Sequence, residues 1–157
     1  MSQSQRITPF LTFKNEAEQA AEFYVSVIPD SKILRKVKNP HADAILTVEL
    51  ELRGMKFIAL NAGQDWKFTE AFSIAVECDS QQELDRIWEN LTADGGAELA
   101  CGWLKDKFGM FWQIWPAELP RWMASDDAEA VQRMFQAVWQ MKKLDIETLQ
   151  KAFGGTT

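Results

Sequence analysis

One histidine, two cysteines and one tyrosine are all that 157 residues supply of three residue types much used in catalysis and metal binding. Cys78 and Cys101 belong to no C-x-x-C pair, so the sequence carries no redox or zinc-knuckle motif, and two reduced, buried thiols are the expectation. Basic residues are outnumbered 17 to 23, for a net charge of −6. That balance excludes the basic face needed for general nucleic-acid binding. No apolar run approaches the roughly 20 residues of a membrane span. The start, MSQSQRITPF, has no apolar segment of the secretory kind. A cytoplasmic protein that engages neither membrane nor nucleic acid is expected.

What the chain has instead is a large set of rings without hydroxyls. Seven Trp and ten Phe favour deep packing or an apolar pocket. The length suits one domain, or two small halves sharing a core.

Ile7 to Phe13 reads as a strand with Pro9 at its irregular start. Asn15 and Glu18 have capping-box spacing before a helix carrying Ala17, Ala20, Ala21, Tyr24 and Ile28, which Pro29 stops. Strands follow at 32–38, 44–53 and 56–61; in the second, Leu46, Val48, Leu50 and Leu52 alternate with Thr47, Glu49 and Glu51. The order then repeats. Phe72 to Cys78 is a strand, and Ser80 with Glu83 is a second capping box. Leu84, Ile87, Trp88 and Leu91 form a helical stripe ended by Gly95-Gly96. Glu98 to Lys105 is weakly strand-like, residues 106–109 turn, and Phe111 to Trp115 is the last strand.

The halves superimpose. Thr8–Phe13 falls on Ser73–Cys78 at an offset of 65 residues, and Lys56–Leu60 on Met110–Ile114 at an offset of 54. An α+β fold of two tandem βαβββ modules is predicted, with helices on one face of mixed sheets. The paired modules take residues 1–120, as halves of about 5–62 and 70–117, and a C-terminal helical appendage takes 121–157. In the appendage Ser125 caps a helix with Val131, Met134, Phe135 and Val138, and a shorter helix starts at Leu144-Asp145.

The segments "ITPFLTF", "AEFYVSVIPDSKI", "FIALNAG", "WKFTEAFSIAVEC", "CGWLKDKFGMFWQIWP" and "MKKLDIETLQKAF", in this order, resemble the PhnB-like family of the vicinal-oxygen-chelate (glyoxalase, bleomycin-resistance and dioxygenase) superfamily. Members are often labelled 3-demethylubiquinone-9 3-methyltransferase. The resemblance implies sheets cupped around a cavity, helices on the convex side, and commonly a homodimer. Exposed-type Met134, Trp139 and Met141 are candidates for such an interface.

Alternation assigns the faces. The sets Leu46/Val48/Leu50/Leu52, Pro9/Leu11/Phe13, Ile58/Leu60, Ile74/Val76/Cys78 and Trp112/Ile114 are apolar and expected under the helices. The mixed sets would line the cup and bind an unknown small organic molecule. The ligand-binding candidates are Thr8, Phe10, Phe57, Asn61, Ser73, Phe111, Gln113 and Trp115, with Trp66 and Phe68 from the loop between the halves. Trp66 and Phe68 serve equally well as core or subunit anchors. The resemblance places the metal ligands of metal-dependent relatives at Thr8, Ala59, Ser73 and Gln113. Alanine cannot ligate and hydroxyls are poor ligands, so neither metal nor cofactor is expected. His41 lies alone in the loop "KNPHADA" and reads as solvated. Glu49 and Glu77 are the candidate catalytic carboxylates, the alternative being glutamates exposed or ion-paired on their strands.

Three functions compete. One is a metal-free enzyme using Glu49 or Glu77 as base, with Asn61, Ser73 and Gln113 as hydrogen-bonding groups. Another is a non-catalytic protein that sequesters its ligand. The third is the methyltransferase of the family label; it would need a glycine-rich loop for S-adenosylmethionine, and no G-x-G-x-x-G occurs.

Overall fold

The computed structural model describes residues 5–156. The chain divides after Lys67 into two compact units. The first holds β1 (Phe10–Phe13), α1 (Ala17–Val27), β2 (Ser31–Lys38), β3 (Ile45–Leu52) and β4 (Met55–Asn61). The second holds β5 (Ile74–Cys78), α2 (Gln81–Thr92), β6 (Ala97–Glu98), β7 (Trp103–Lys105) and β8 (Phe111–Pro116). It also holds α3 (Leu119–Met123), α4 (Ala128–Val138) and α5 (Ile146–Gly154).

The first sheet has the order β1-β4-β3-β2 and the second β5-β8-β7-β6, which is the same order taken twice. In each, the first and last strands of the βαβββ run are parallel neighbours, the first at one edge of the sheet, and the other pairs are antiparallel. The α+β class and the doubled module follow from the sequence as read.

In the first unit α1 packs on β2, β3 and β4. Its buried stripe is Ala17, Ala20, Ala21, Tyr24 and Val27, and the three small alanines let the helix lie close to the sheet. Beneath lie Leu11, Phe13, Val48, Leu50, Phe57 and Ala59, all buried. The edge strand β2 carries Lys32, Arg35, Lys36 and Lys38, charges that discourage pairing with another edge. Lys36 reaches Glu18 and Glu22 of α1 at 2.6 and 2.7 Å.

In the second unit Leu84, Ile87, Trp88 and Leu91 of α2 are buried, as are Leu104, Trp112 and Ile114 of the sheet. Ser80 caps α2 by accepting from the Glu83 N–H, and the Glu83 carboxylate accepts from the Asp79 N–H. Asp127, not Ser125, caps α4, and Asp145 caps α5. Residues 119–123 add a short helix that alternation did not reveal.

The C-terminal helices are part of the second unit. The N–H groups of Cys101 and Gly102 donate to the carbonyls of Met141 and Lys142 at 2.8 and 2.7 Å. The Gln81 amide donates to Leu144 O and accepts from Ile146 N, and Lys143 pairs with Asp85 at 2.8 Å. Arg133 of α4 donates to the carbonyls of Ala152 and Phe153, closing the C-terminus of α5. Met134 is fully buried in this packing, which corrects its expected place on an exposed surface; Trp139 is exposed.

Candidate functional site

The second sheet presents its open face as the alternation predicts. Ile74, Val76, Cys78, Leu104, Trp112 and Ile114 take the helix side. Opposite strands therefore bring Ser73, Ala75 and Glu77 of the β5 segment, Phe111, Gln113 and Trp115 of β8, and Trp103 and Lys105 of β7 to the other side. Gln113 stands beside Ala75 on one strand and Trp103 on the other, with Phe111 and Trp115 two residues away along its own strand. Its Nε2 donates to Ser73 Oγ at 2.9 Å. Ser73, Gln113, Trp103 and Trp115 are half-buried, and Phe111 is almost fully buried. Trp115 Nε1, a donor that accepts nothing, is buried without a partner among the described residues, as is Glu118 Oε2. Glu118 is a polar group that the sequence reading passed over. Glu77 lies opposite Trp115 in the register and is exposed.

The turn before β8 is a further feature that sequence reasoning missed. Asp106 is 1 % exposed. Its Oδ1 accepts from the N–H groups of Phe108 and Met110 at 2.8 and 3.0 Å, and its Oδ2 accepts from Trp112 Nε1 at 2.8 Å. The signal was there: an Asp whose side chain can take amides two and four residues on, ahead of Gly109 with φ +86°. This carboxylate holds the β7–β8 turn and ties it to Trp112, on the side of β8 opposite Gln113.

In the first sheet one strand turns over relative to expectation. Leu50 stands opposite Phe57 and Val48 opposite Ala59, whereas Glu49 stands opposite Ile58 and Thr47 opposite Leu60. Phe57, Ala59 and Asn61 therefore belong to the helix side, and Ile58 and Leu60 to the open side. Both alternations along β4 are rich in apolar residues, so pattern alone could not choose. The small Ala59 under the alanine stripe of α1 decides it. Phe57 is core, 3 % exposed. Asn61 is a structural group: its Oδ1 accepts from Ala17 N at 2.8 Å and its Nδ2 donates to Ile45 O at 3.0 Å. It supplies the cap of α1 expected from Asn15; the residue at the cap position, Glu16, makes no side-chain cap bond. Asn61 also lines a cleft of about 480 Å³ with Lys14, Gln19 and Asn39, at the start of α1.

The open side of the first sheet thus carries Phe10, Thr12, Thr47, Glu49, Ile58 and Leu60. Thr8 is half-buried just before β1, and Phe10 is 54 % exposed. Glu49 is held by Arg35 of the neighbouring strand at 2.7 Å, and Glu51 lies 3.5 Å from Lys32. Glu49 is therefore an ion-paired carboxylate rather than a desolvated one. Trp66 is 65 % exposed, Phe68 is half-buried, and His41 is exposed in its loop.

The turned strand also moves the counterpart of Gln113. Phe10 pairs with Ile58 in the first sheet, and Ala75 with Gln113 in the second. Phe10 and Ala75 are 65 residues apart, so Gln113 corresponds to Ile58, not Ala59. The residues at the positions where metal-dependent relatives hold their ligands are then Thr8 and Ile58 in one unit, and Ser73 and Gln113 in the other. Ile58 has no donor atom, the Thr8 and Ser73 hydroxyls are poor ligands, and Gln113 Oε1 is left as a single usable donor. Neither pair, taken by itself, fits a divalent ion. No group of three or more His, Cys, Asp or Glu suited to a metal lies together among the described residues. No helix among them is long and apolar enough to cross a membrane.

A family model described as 3-demethylubiquinone-9 3-methyltransferase matches residues 5–115. The PhnB protein of Bacillus cereus is similar in structure, with a TM-score of 0.65 and 29% sequence identity over 70% of this chain and 98% of that one. The protein PA1353 of Pseudomonas aeruginosa matches with a TM-score of 0.58 and 19% identity, over 72% of this chain and 98% of that one. The fosfomycin resistance protein FosX of Mesorhizobium loti matches with a TM-score of 0.56 and 12% identity, over 78% and 98%. The last two show the fold alone. None of the curated proteins compared matches the chain.

Proposed function

This chain belongs to the 3-demethylubiquinone-9 3-methyltransferase family, and from that premise we propose that it binds a small organic molecule on the open face of its sheets without a divalent metal. The observation that carries the reading is the Gln113–Ser73 pair, a fixed polar contact among Phe111, Trp103 and Trp115. Apolar rings around a few oriented polar groups are the composition of small-molecule sites. On the second sheet, taken by itself, Ser73, Gln113 and Trp115 are the contact residues proposed, with Phe111 as a wall; on the first, Thr8 and Phe10 are. Trp66 and Phe68 are retained as loop contacts. Phe57 and Asn61 are withdrawn, since the core and the α1 cap employ them.

Sequestration is favoured over catalysis, because Glu49 is neutralised by Arg35. Glu77 is the one remaining carboxylate of the two proposed as a base. If turnover is found, Glu77→Gln abolishes it; a full-rate Glu49→Gln, Glu77→Gln double variant removes the carboxylate mechanism. The family label does not supply a methyl donor site here: neither sheet is a doubly wound parallel sheet with a glycine-rich first turn. Calorimetric titration with S-adenosylmethionine tests that directly, and saturable binding would overturn this part of the reading.

The main test is a thermal-shift screen of small anionic and aromatic compounds. Stabilisation by at least one, lost in Gln113→Leu, supports the proposal; no stabilisation by any compound overturns it. The protein is proposed to act as a homodimer in the cytoplasm, and sedimentation as a monomer at micromolar concentration would contradict the dimer.

A further inference from the structure

We infer that the open face of the second sheet takes a flat ring whose edge carries an N–H next to a C=O, a lactam-type edge. This inference rests on the binding function proposed above and names its ligand class. It starts from the one polar pair on that face. Gln113 Nε2 donates to Ser73 Oγ at 2.9 Å, which leaves two groups pointing elsewhere. Gln113 Oε1 is an acceptor, and the Ser73 hydroxyl, having accepted, keeps its own proton to donate. Neither makes another side-chain hydrogen bond among the described residues. The pair therefore offers an acceptor and a donor side by side, at a separation set by the bond between them. The complement is an edge with a donor beside an acceptor, so a ring N–H meets Gln113 Oε1 while the adjacent C=O meets the Ser73 O–H.

The surroundings select a flat partner. Trp103 is the cross-strand neighbour of Gln113, and Trp115 is two residues along β8 on the same face. Neither indole stacks on another ring among the described residues, and each is only half-buried, so a third ring would be the first to stack on either. On the opposite side Gln113 faces Ala75, which is exposed and too small to fill the space beside the amide. Rings on one side, a methyl group on the other and a two-point polar contact between them describe a slot.

The inference is tested with three probes of nearly one shape, titrated against the full chain by calorimetry. Isoquinolin-1-one has both N–H and C=O; isocoumarin keeps the C=O and replaces the N–H by a ring oxygen; isoquinoline lacks the C=O. Isoquinolin-1-one is expected to bind at least about 10-fold more tightly than isocoumarin, because the lactone turns a lone pair toward Gln113 Oε1 and leaves that acceptor unpaired. Gln113→Leu should erase the difference between the two. Equal affinity of the wild-type chain for all three overturns the edge assignment and leaves the small-molecule reading standing. Failure of all three to bind overturns the inference as well, and overturns the broader reading only if the thermal-shift screen also finds nothing. A preference for the lactam that persists in a folded Gln113→Leu chain overturns the role given to Gln113. The wild-type comparison needs no variant, so a misfolded substitution cannot hide the outcome.

Discussion

Replacing Asp106 by alanine removes the acceptor of three donors at once. Two of the three, Met110 N and Trp112 Nε1, belong to residues with no solvent exposure, and the third, Phe108 N, to a half-buried one. A buried donor left without a partner costs about 1–3 kcal/mol. Two such donors, with a third that water can partly reach, give about 3–5 kcal/mol after the turn relaxes. For a chain of this size that lowers Tm by about 6–20 °C. Asp106→Asn is the sharper variant. Its Oδ1 still takes the two backbone N–H groups, but its amide turns an N–H toward the indole N–H, donor against donor. The expected cost is about 1–3 kcal/mol. Adding Trp112→Phe, which removes the opposing donor, should recover most of what the Asn substitution alone loses, although the Phe substitution has its own packing cost. The assay is urea unfolding followed by circular dichroism for wild type, both single variants and the double variant, read as a double-mutant cycle. An Asp106→Ala chain within about 1 kcal/mol of wild type would refute the reasoning, as would a cycle with no coupling between positions 106 and 112.

Asn61→Ala should destabilise the first unit by about 1–2 kcal/mol through loss of the α1 cap, whereas Asn61→Asp, which keeps the acceptor, should cost less; neither should weaken ligand binding in the thermal-shift screen. Gly102 has φ +80°, and a Cβ there would sit 3.0 Å from Leu144 and 3.1 Å from Ile114 O. Gly102→Ala should therefore cost more than Gly54→Ala, where φ is +83° but no atom lies within 4 Å; equal denaturation midpoints would contradict the close packing of the C-terminal segment. Acid should loosen that segment. Lys143, with help from Gln81, holds the Asp85 carboxyl below its usual range, and the Thr148 side chain and N–H do the same for Asp145. Depressed values mean that the stabilisation is present above the unfolded carboxyl value of about 3.9 and is lost as pH falls through the folded values. Amide exchange in α5, corrected for intrinsic rates, should accelerate below about pH 4 ahead of β8, and a uniform response across the second unit would count against the fastening.

The repeat was legible because it rests on features that survive without tertiary knowledge: alternating strands, the Ser80 cap and glycines at the helix end. The faces of β3, β5 and β8 were legible for the same reason, since only one alternation on each is fully apolar. On β4 the rule gave two acceptable answers. Ile58 and Leu60 looked like core, yet the alanines of α1 call for a flat surface that Ala59 provides, and a slip of one residue exchanges the two sides entirely. That single strand moved Phe57 and Asn61 out of the site and Ile58 into the place that corresponds to Gln113. The same local ambiguity hid Asp106, because a charged residue in a turn reads as solvated until the indole of Trp112 is brought over it. The two corrections converge on one consequence. With Ile58 in place of a ligand in one unit and a single amide oxygen beside a hydroxyl in the other, these positions do not suit a divalent ion. The recognition proposed for the second sheet then draws on ring faces and on the direction of one hydrogen bond. That direction depends on Gln113 facing the open side, which the burial of Trp112 and Ile114 sets and the Asp106 carboxylate supports by holding the turn.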